Sequence, residues 1–160
     1  MNKLLLVIDM QKDFINENTK FLIEKIEKLI DENKFNNIVF TRFINNNNSV
    51  FYKRLKYTGC TSKEGMKIVL SEDSKKIIDK QGYTALTKEC IEYINENNID
   101  EIYLCGIDTE CCVLKTAFDM FEAGYNVYVL KDYSASTYGE ERHNNAIQIL
   151  ERNIGKEFVV

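Results

Sequence analysis

Short apolar runs alternate with amphipathic segments along this chain, and no other feature of the sequence limits its fold as strongly. Residues 3–9 and 37–42 are typical of buried strands, and residues 19–33 between them place apolar side chains on one side of a predicted helix. Such an alternation favours an α/β fold with three layers, in which helices cover both faces of a mostly parallel, Rossmann-like central sheet.

The same order continues through the second half of the chain. We predict strands near 76–79, at 101–106 and at 125–131, helices over 84–97, about 109–123 and 139–152, and a last apolar stretch, 158–160, that completes the sheet. Residues 43–72 have no clean period and include an asparagine tract at 45–48, so we expect an exposed excursion that forms part of a pocket wall.

Length and charge narrow the classes of function. The 160 residues fit a single domain, 1–160, since no linker or repeat divides them. Net charge is −4 and the basic residues are scattered, which argues against a nucleic-acid partner and favours a small-molecule ligand. The first apolar run, at 4–8, is too short for a signal segment or a membrane span, so we expect a cytoplasmic protein without a membrane partner.

The metal-binding and redox residues are sparse. Five cysteines, an odd number without paired CxxC clusters, argue against a disulfide framework and against a structural zinc site. His143 is the only histidine, so no multi-histidine metal site is possible, and we expect neither a metal nor a cofactor. A surface or capping role for His143 is favoured over a role as a papain-type base.

Three polar residues stand at the carboxyl ends of predicted strands, where parallel sheets bind ligands. Asp9 closes the first strand, Lys80 follows the strand near 76–79, and Cys112 follows the strand at 101–106. A base paired with a lysine, next to a cysteine, is suited to nucleophilic catalysis. The alternative is that Asp9 and Lys80 form a purely structural ion pair.

Two adjacent cysteines compete for the role of nucleophile. Cys111 and Cys112 lie in the first turn of a predicted helix, where unpaired N–H groups and the helix dipole favour a thiolate. Adjacent helical positions point about 100° apart, so only one thiol can face a shared pocket. The periodicity of the helix leaves the choice open.

Three segments of this chain, in this order, resemble the isochorismatase-like cysteine hydrolases, a superfamily that includes nicotinamidases and N-carbamoylsarcosine amidases. Residues 6–14 (LVIDMQKDF) resemble the first-strand motif, residues 80–86 (KQGYTAL) the lysine segment, and residues 106–117 (GIDTECCVLKTA) the cysteine elbow. The family pattern has a threonine, two variable residues, then the nucleophilic cysteine and a valine. Aligned on Thr109, it points to Cys112.

The resemblance implies an isochorismatase-like fold and a role for each matched residue. Asp9 would be the base, Lys80 its partner and Cys112 the nucleophile. The family also has a cis peptide bond before the elbow, here Ile107–Asp108. That bond would turn the N–H of Asp108 toward the oxyanion, beside the N–H of Cys112, so that both form the oxyanion hole.

The implied activity is hydrolysis of a small amide through a thioester on the cysteine. Phe14 and Tyr83 are candidates for the substrate pocket. The region 41–45 lacks the Asp-x-His metal motif of metal-binding nicotinamidases, which disfavours nicotinamide as substrate. Arg42 has two interpretations: it binds a carboxylate group of the substrate, or it forms a surface salt bridge.

Two other classes of function compete with the amidase. One is the vinyl-ether hydrolysis of true isochorismatases, which releases pyruvate and does not use the cysteine. The other is a non-catalytic domain that binds a small molecule on the same scaffold, which the joint presence of Asp9, Lys80 and Cys112 disfavours. By analogy with the family we also expect a homodimer or a larger homo-oligomer.

Overall fold

A parallel sheet of five strands forms the centre of the computed structural model, which describes residues 1–73 and 75–160. The strand order is β3-β2-β1-β4-β5, and each neighbouring pair is parallel. This arrangement confirms the predicted α/β class. The strands are β1 (Lys3–Ile8), β2 (Asn37–Phe43), β3 (Lys76–Lys80), β4 (Glu101–Ile107) and β5 (Val127–Ala135).

Helices cover both faces of the sheet because alternate residues of β1 point to opposite sides. Leu4, Leu6 and Ile8 pack on one face with side chains from three helices. Leu5 and Val7 pack on the other face with side chains of the first helix and of residues near 68–70. Within the described residues no helix is both long and apolar enough to cross a membrane. The helices are α1 (Phe21–Asp31), α2 (Val50–Leu55), α3 (Lys88–Glu96), α4 (Leu114–Glu122) and α5 (Glu140–Ile154).

The end of the chain differs from its prediction. The stretch 158–160 is not a sixth strand, because residues Lys156–Phe158 form a 3₁₀ turn and only the last two residues lie alongside β5. The N–H of Val160 donates to the carbonyl of Val129 at 2.9 Å, and the N–H of Lys131 donates to the carbonyl of Val160 at 2.9 Å. The terminus therefore adds two hydrogen bonds to the sheet edge.

The excursion between β2 and β3 is held in place by buried amide side chains. Gln11 Nε2 donates to the carbonyls of Phe43 at 2.9 Å and Met66 at 3.0 Å, while its Oε1 accepts from the N–H of Phe43 at 2.7 Å. Asn45 Nδ2 donates to the carbonyls of Tyr57 and Gly59. The excursion also contains α2, a helix that the sequence analysis did not predict.

A close approach of two central strands fixes the position of the cysteine elbow. Gly106, near the end of β4, has a φ of +119°, and a Cβ there would lie 2.1 Å from the carbonyl oxygen of Ile8 on β1. Both the backbone conformation and the space favour glycine. The elbow after β4 therefore lies directly beside the residue that follows β1.

We expect Gly106→Ala to lower the free energy of unfolding by about 3 kcal/mol, because it combines an unfavourable φ with a clash against backbone. Urea unfolding measures the change. Gly82→Ala is the matched control, since a Cβ at Gly82 meets nothing within 4 Å. The control should change stability by less than about 0.5 kcal/mol. Equal stability of the two variants would contradict the packing described above.

Candidate active site

The structure brings Asp9, Lys80 and Cys112 together at the carboxyl ends of the strands. Lys80 Nζ lies 2.7 Å from Asp9 Oδ2 and 3.5 Å from Cys112 Sγ. Asp9 directly follows β1, Lys80 ends β3, and Cys112 lies in the turn that follows β4. Side chains at the carboxyl ends of three strands therefore meet at one site.

The carboxylate of Asp9 and the ammonium of Lys80 form an ion pair whose side chains are both fully buried. Thr41 on β2 donates to Asp9 Oδ1 at 2.7 Å, and its hydroxyl accepts from the N–H of Asp9 at 3.1 Å. Lys80 Nζ also donates to the carbonyls of Gly82 at 2.8 Å and Tyr83 at 3.2 Å. Such partners are what a buried charge pair needs to be tolerated.

Lys80 remains charged in this environment. Burial lowers the pKa of its ammonium group, but the Asp9 carboxylate and the Cys112 sulfur outweigh burial and leave that pKa above its usual value. Thr41 was not among the predicted site residues. It lies on β2, the strand between those of the two partners. A polar hydroxyl side chain within a buried strand, two residues before the end of β2, is the feature that marks Thr41 as a candidate site residue.

Cys112 lies in a π-helical turn, Thr109–Val113, immediately before α4. The N–H of Val113 donates to the carbonyl of Asp108 at 3.1 Å, which closes the wide turn. Periodicity left the choice between the two cysteines open, and the contact with Lys80 Nζ distinguishes Cys112 from Cys111. Cys60, Cys90 and Cys105 are buried free thiols elsewhere in the fold.

The Cys112 thiol is neutral at neutral pH. Burial raises its pKa, the adjacent Asp9 carboxylate raises it further, and Lys80 lowers it only in part, so the pKa stays well above the ordinary value. This differs from the expectation of a thiolate at the start of a helix. Only 8% of the residue is exposed, so desolvation outweighs the helix dipole.

A cavity of about 600 Å³ opens above the cysteine. Phe14 and Tyr83, both predicted to belong to a substrate pocket, line it, and so do both adjacent cysteines. Most of its apolar lining residues are aromatic. Phe43, Phe51 and Tyr57 belong to the region 43–72, which was expected to form part of a pocket wall, whereas Tyr138 was not predicted. The aromatic lining residues are Phe14, Phe43, Phe51, Tyr57, Tyr83 and Tyr138.

Arg42 does not line this cavity, which corrects its assignment to the substrate pocket. Consecutive strand residues point to opposite faces, and Thr41 and Phe43 occupy the face of the site. Arg42 instead forms a bidentate, partly exposed salt bridge with Asp79 on β3. The Nε–Oδ1 distance is 2.7 Å and the Nη2–Oδ2 distance is 3.0 Å. Of its two interpretations, the surface salt bridge is the one observed.

Asp108 places a carboxylate on the cavity wall. The peptide bond between Ile107 and Asp108 is cis, as the resemblance implied. Asp108 Oδ1 accepts from the N–H of Thr137 at 2.6 Å, and Oδ2 accepts from its hydroxyl at 3.1 Å. Burial raises the pKa of Asp108 to about 6, so the carboxylate is charged above that pH.

His143 lies outside the cavity. Its Nδ1 is 2.7 Å from Thr109 Oγ1, and the ring lines a separate cavity of about 390 Å³. The histidine therefore has a buried hydroxyl partner and no contact with the cysteine. Within residues 1–73 and 75–160 no three His, Cys, Asp or Glu side chains are grouped as a metal site would require.

Comparison with known proteins places this architecture in a family. The family model described as Isochorismatase domain matches residues 3–158. Isochorismatase family protein 2A of Dictyostelium discoideum is 29% identical over 148 residues, which cover 86% of this chain and 68% of that protein. The chain spans less than half the length of several other curated relatives that it matches.

Solved structures show the same fold. An isochorismatase-like hydrolase from Alkaliphilus metalliredigens superposes with a TM-score of 0.86 at 22% identity, covering 96% of this chain and 92% of that one. A pyrazinamidase/nicotinamidase from Streptococcus mutans superposes with a TM-score of 0.82 at 23% identity, covering 96% and 98%. At these identities the similarity is one of architecture.

We expect Asp9→Asn to make Cys112 more reactive toward iodoacetamide at pH 7, by at least about tenfold. Removing the carboxylate takes away a charge that raises the thiol pKa and leaves Lys80 to stabilise the thiolate. In the unaltered protein, alkylation of Cys112 should still be rising with pH above pH 9. Peptide mass spectrometry reads the rate at each cysteine.

The matched control is Asp79→Asn, which neutralises an exposed carboxylate outside the site. It should leave the alkylation rate of Cys112 unchanged. Slower alkylation in Asp9→Asn would show that the carboxylate assists ionisation of the resting thiol, against the description given above.

Proposed function

This chain belongs to the isochorismatase family of hydrolases, and we propose that it cleaves the C–N bond of a small-molecule amide with Cys112 as the nucleophile. One observation carries the proposal: Lys80 Nζ contacts both Asp9, at 2.7 Å, and Cys112 Sγ, at 3.5 Å, at the base of the aromatic cavity. A cation in contact with both a carboxylate base and a thiol is an arrangement suited to a nucleophilic hydrolase.

The first step is attack on the amide carbonyl. Because the resting thiol is neutral, its proton moves to the Asp9 carboxylate as sulfur bonds to the carbonyl carbon. The electron pair of the C=O π bond moves to oxygen and creates an oxyanion. Lys80 stays protonated and holds Asp9 in position through this transfer.

The oxyanion needs donors where its charge develops. We assign this role to the backbone N–H groups of Asp108, which precedes the π-helical turn, and of Cys112, which lies within it. Backbone donors at the start of a helix are already oriented, so they require little reorganisation during the reaction.

The acyl-enzyme then forms and is hydrolysed. The oxyanion collapses, the C–N bond breaks, and the nitrogen leaves with the proton from Asp9 as ammonia or an amine, so that a thioester remains on Cys112. Asp9 next takes a proton from water, whose oxygen attacks the thioester. The C–S bond breaks, a carboxylic acid is released, and sulfur recovers the proton from Asp9.

We expect Cys112→Ala to abolish ammonia release from a panel of small primary amides, with kcat/KM at least about 10³-fold lower. The cavity and fold remain, because alanine only shortens a buried side chain. The coupled assay for ammonia is run in parallel with an assay for pyruvate from isochorismate, which tests vinyl-ether hydrolysis. Thermal unfolding checks that the variant is folded.

Cys111→Ala is the matched control, because Cys111 lines the same cavity and lies one position away. It should keep most of the activity. Ammonia release that survives in Cys112→Ala, or pyruvate release without ammonia, would overturn the proposed chemistry.

A further inference from the structure

The charged residues that line the cavity have the same sign. Asp13 and Asp108 both line it, and none of the lining residues in the described part of the chain is a lysine, arginine or histidine. Arg42 is turned to the other face of the sheet and paired with Asp79. Lys80 lies below the cavity floor, where its charge is matched by Asp9.

Neutral donors fix both carboxylates in place. Asp13 Oδ2 accepts from the N–H of Cys60 at 2.7 Å, and Gly65 packs so closely that a Cβ there would lie 2.0 Å from the same oxygen. Asp108 is held by the N–H and hydroxyl of Thr137. These contacts hold the carboxylates without cancelling their charge, so the cavity wall is electronegative.

The aromatic wall reinforces this electrostatic character. The rings of Phe14 and Tyr57 are nearly parallel, with centroids 6.3 Å apart and an interplanar angle of 7°. Phe51 and Tyr83 meet edge to face, with centroids 4.9 Å apart. Ring faces attract cations, and groups of aromatic side chains are a recurrent means of binding quaternary ammonium groups.

Tyr57 lines the same cavity as both carboxylates. Burial raises the pKa of its phenol, and the nearby Cys60, Asp13 and Asp108 raise that pKa further, so the phenol adds no negative charge of its own to the wall.

We propose that this cavity selects amides whose remaining part carries a positive charge, a quaternary or protonated amine, over neutral and anionic amides of the same size. The proposal rests on the proposed amidase function and names its substrate class. Carboxylates and ring faces both favour a cation, whereas an anion in the same cavity would lie near two like charges.

Two cations pack against rings of the wall, Arg142 at 5.1 Å from the Tyr138 centroid and Lys80 at 5.3 Å from the Phe43 centroid, but neither is among the residues that line the cavity. The other four rings of the wall have no such partner among the described residues; they are Phe14, Phe51, Tyr57 and Tyr83.

The test uses three small amides that differ mainly in charge. 2-(Trimethylammonio)acetamide is the cationic probe, 3,3-dimethylbutanamide replaces its nitrogen by carbon, and malonamate replaces the ammonium group by a carboxylate. Dissociation constants are measured by calorimetry on Cys112→Ala at pH 8, well above the pKa of about 6 to which burial raises Asp108. Binding to this variant is independent of the different chemical reactivity of the three amides.

We expect the cationic amide to bind at least about tenfold more tightly than its neutral isostere, and malonamate to bind most weakly. Asp13→Asn and Asp108→Asn, each combined with Cys112→Ala, should reduce the preference for the cation by about threefold or more. Asp79→Asn in the same background is the control and should leave the preference unchanged. Two independent carboxylate variants keep the test informative when one of them folds poorly.

Equal binding of the cationic and neutral amides, tighter binding of malonamate, or no measurable binding of any of the three would overturn the proposal. So would a preference that persists in both folded carboxylate variants. Ammonia release by the unaltered protein separates this outcome from the proposed function. Release of ammonia from all three amides without a charge preference supports the amidase function and contradicts the proposed substrate class. A binding preference for the cation without ammonia release supports the preference of the cavity and contradicts the amidase function.

Discussion

The buried ion pair between Asp9 and Lys80 is the interaction on which the rest of the site depends. Two charges removed from water are tolerated only when each is paired and hydrogen-bonded. The sheet provides these conditions: β2, between the strands of the two partners, supplies the hydroxyl of Thr41, and the turn after β3 supplies two carbonyls. The order of the strands is therefore part of the chemistry of the site.

A neutral cysteine follows from the same pair. Because the charge of Lys80 is largely matched by Asp9, too little of it remains to ionise a thiol that is also desolvated. In the proposed mechanism the thiolate is therefore generated only when the carbonyl to be attacked is present and can accept the electron pair. Between turnovers such a thiol is a poor target for oxidants and alkylating agents, which react with thiolates.

Much of this arrangement follows from local patterns in the sequence. The apolar run that ends at Asp9 predicts both a buried strand and a polar residue at its carboxyl end, and the structure has both. Cys112 is different, because two adjacent cysteines at the start of a helix cannot be separated by periodicity. The family motif pointed to one of them, and the structure adds the contact with Lys80. Arg42 lies between Thr41 and Phe43 in β2. Because successive side chains of a strand point to opposite faces, this position alone indicates that Arg42 points away from the site.

Features set by distant contacts were not predictable in this way. The excursion between β2 and β3 has little regular structure apart from the six-residue helix α2, and bonds from Gln11 and Asn45 to distant backbone hold it. β5 ends at Ala135, four residues beyond the predicted end at 131. Its last residues pair with β4 after a shift in register between Leu104 and Gly106. A homodimeric or larger assembly and a cytoplasmic location stay predictions.

Three hydrogen bonds of Gln11 hold the excursion between β2 and β3 without involving Asp9, Lys80 or Cys112. Two of them join Gln11 to the main chain of Phe43 at the end of β2, and the third joins it to the carbonyl of Met66, so Gln11 fixes both ends of the excursion that carries Phe51 and Tyr57 through main-chain atoms. Asp9, Lys80 and Cys112 lie instead at the ends of strands and in the π-helical turn. Under the proposed mechanism, substitutions in the excursion can consequently alter which molecule is admitted without a change at these three residues.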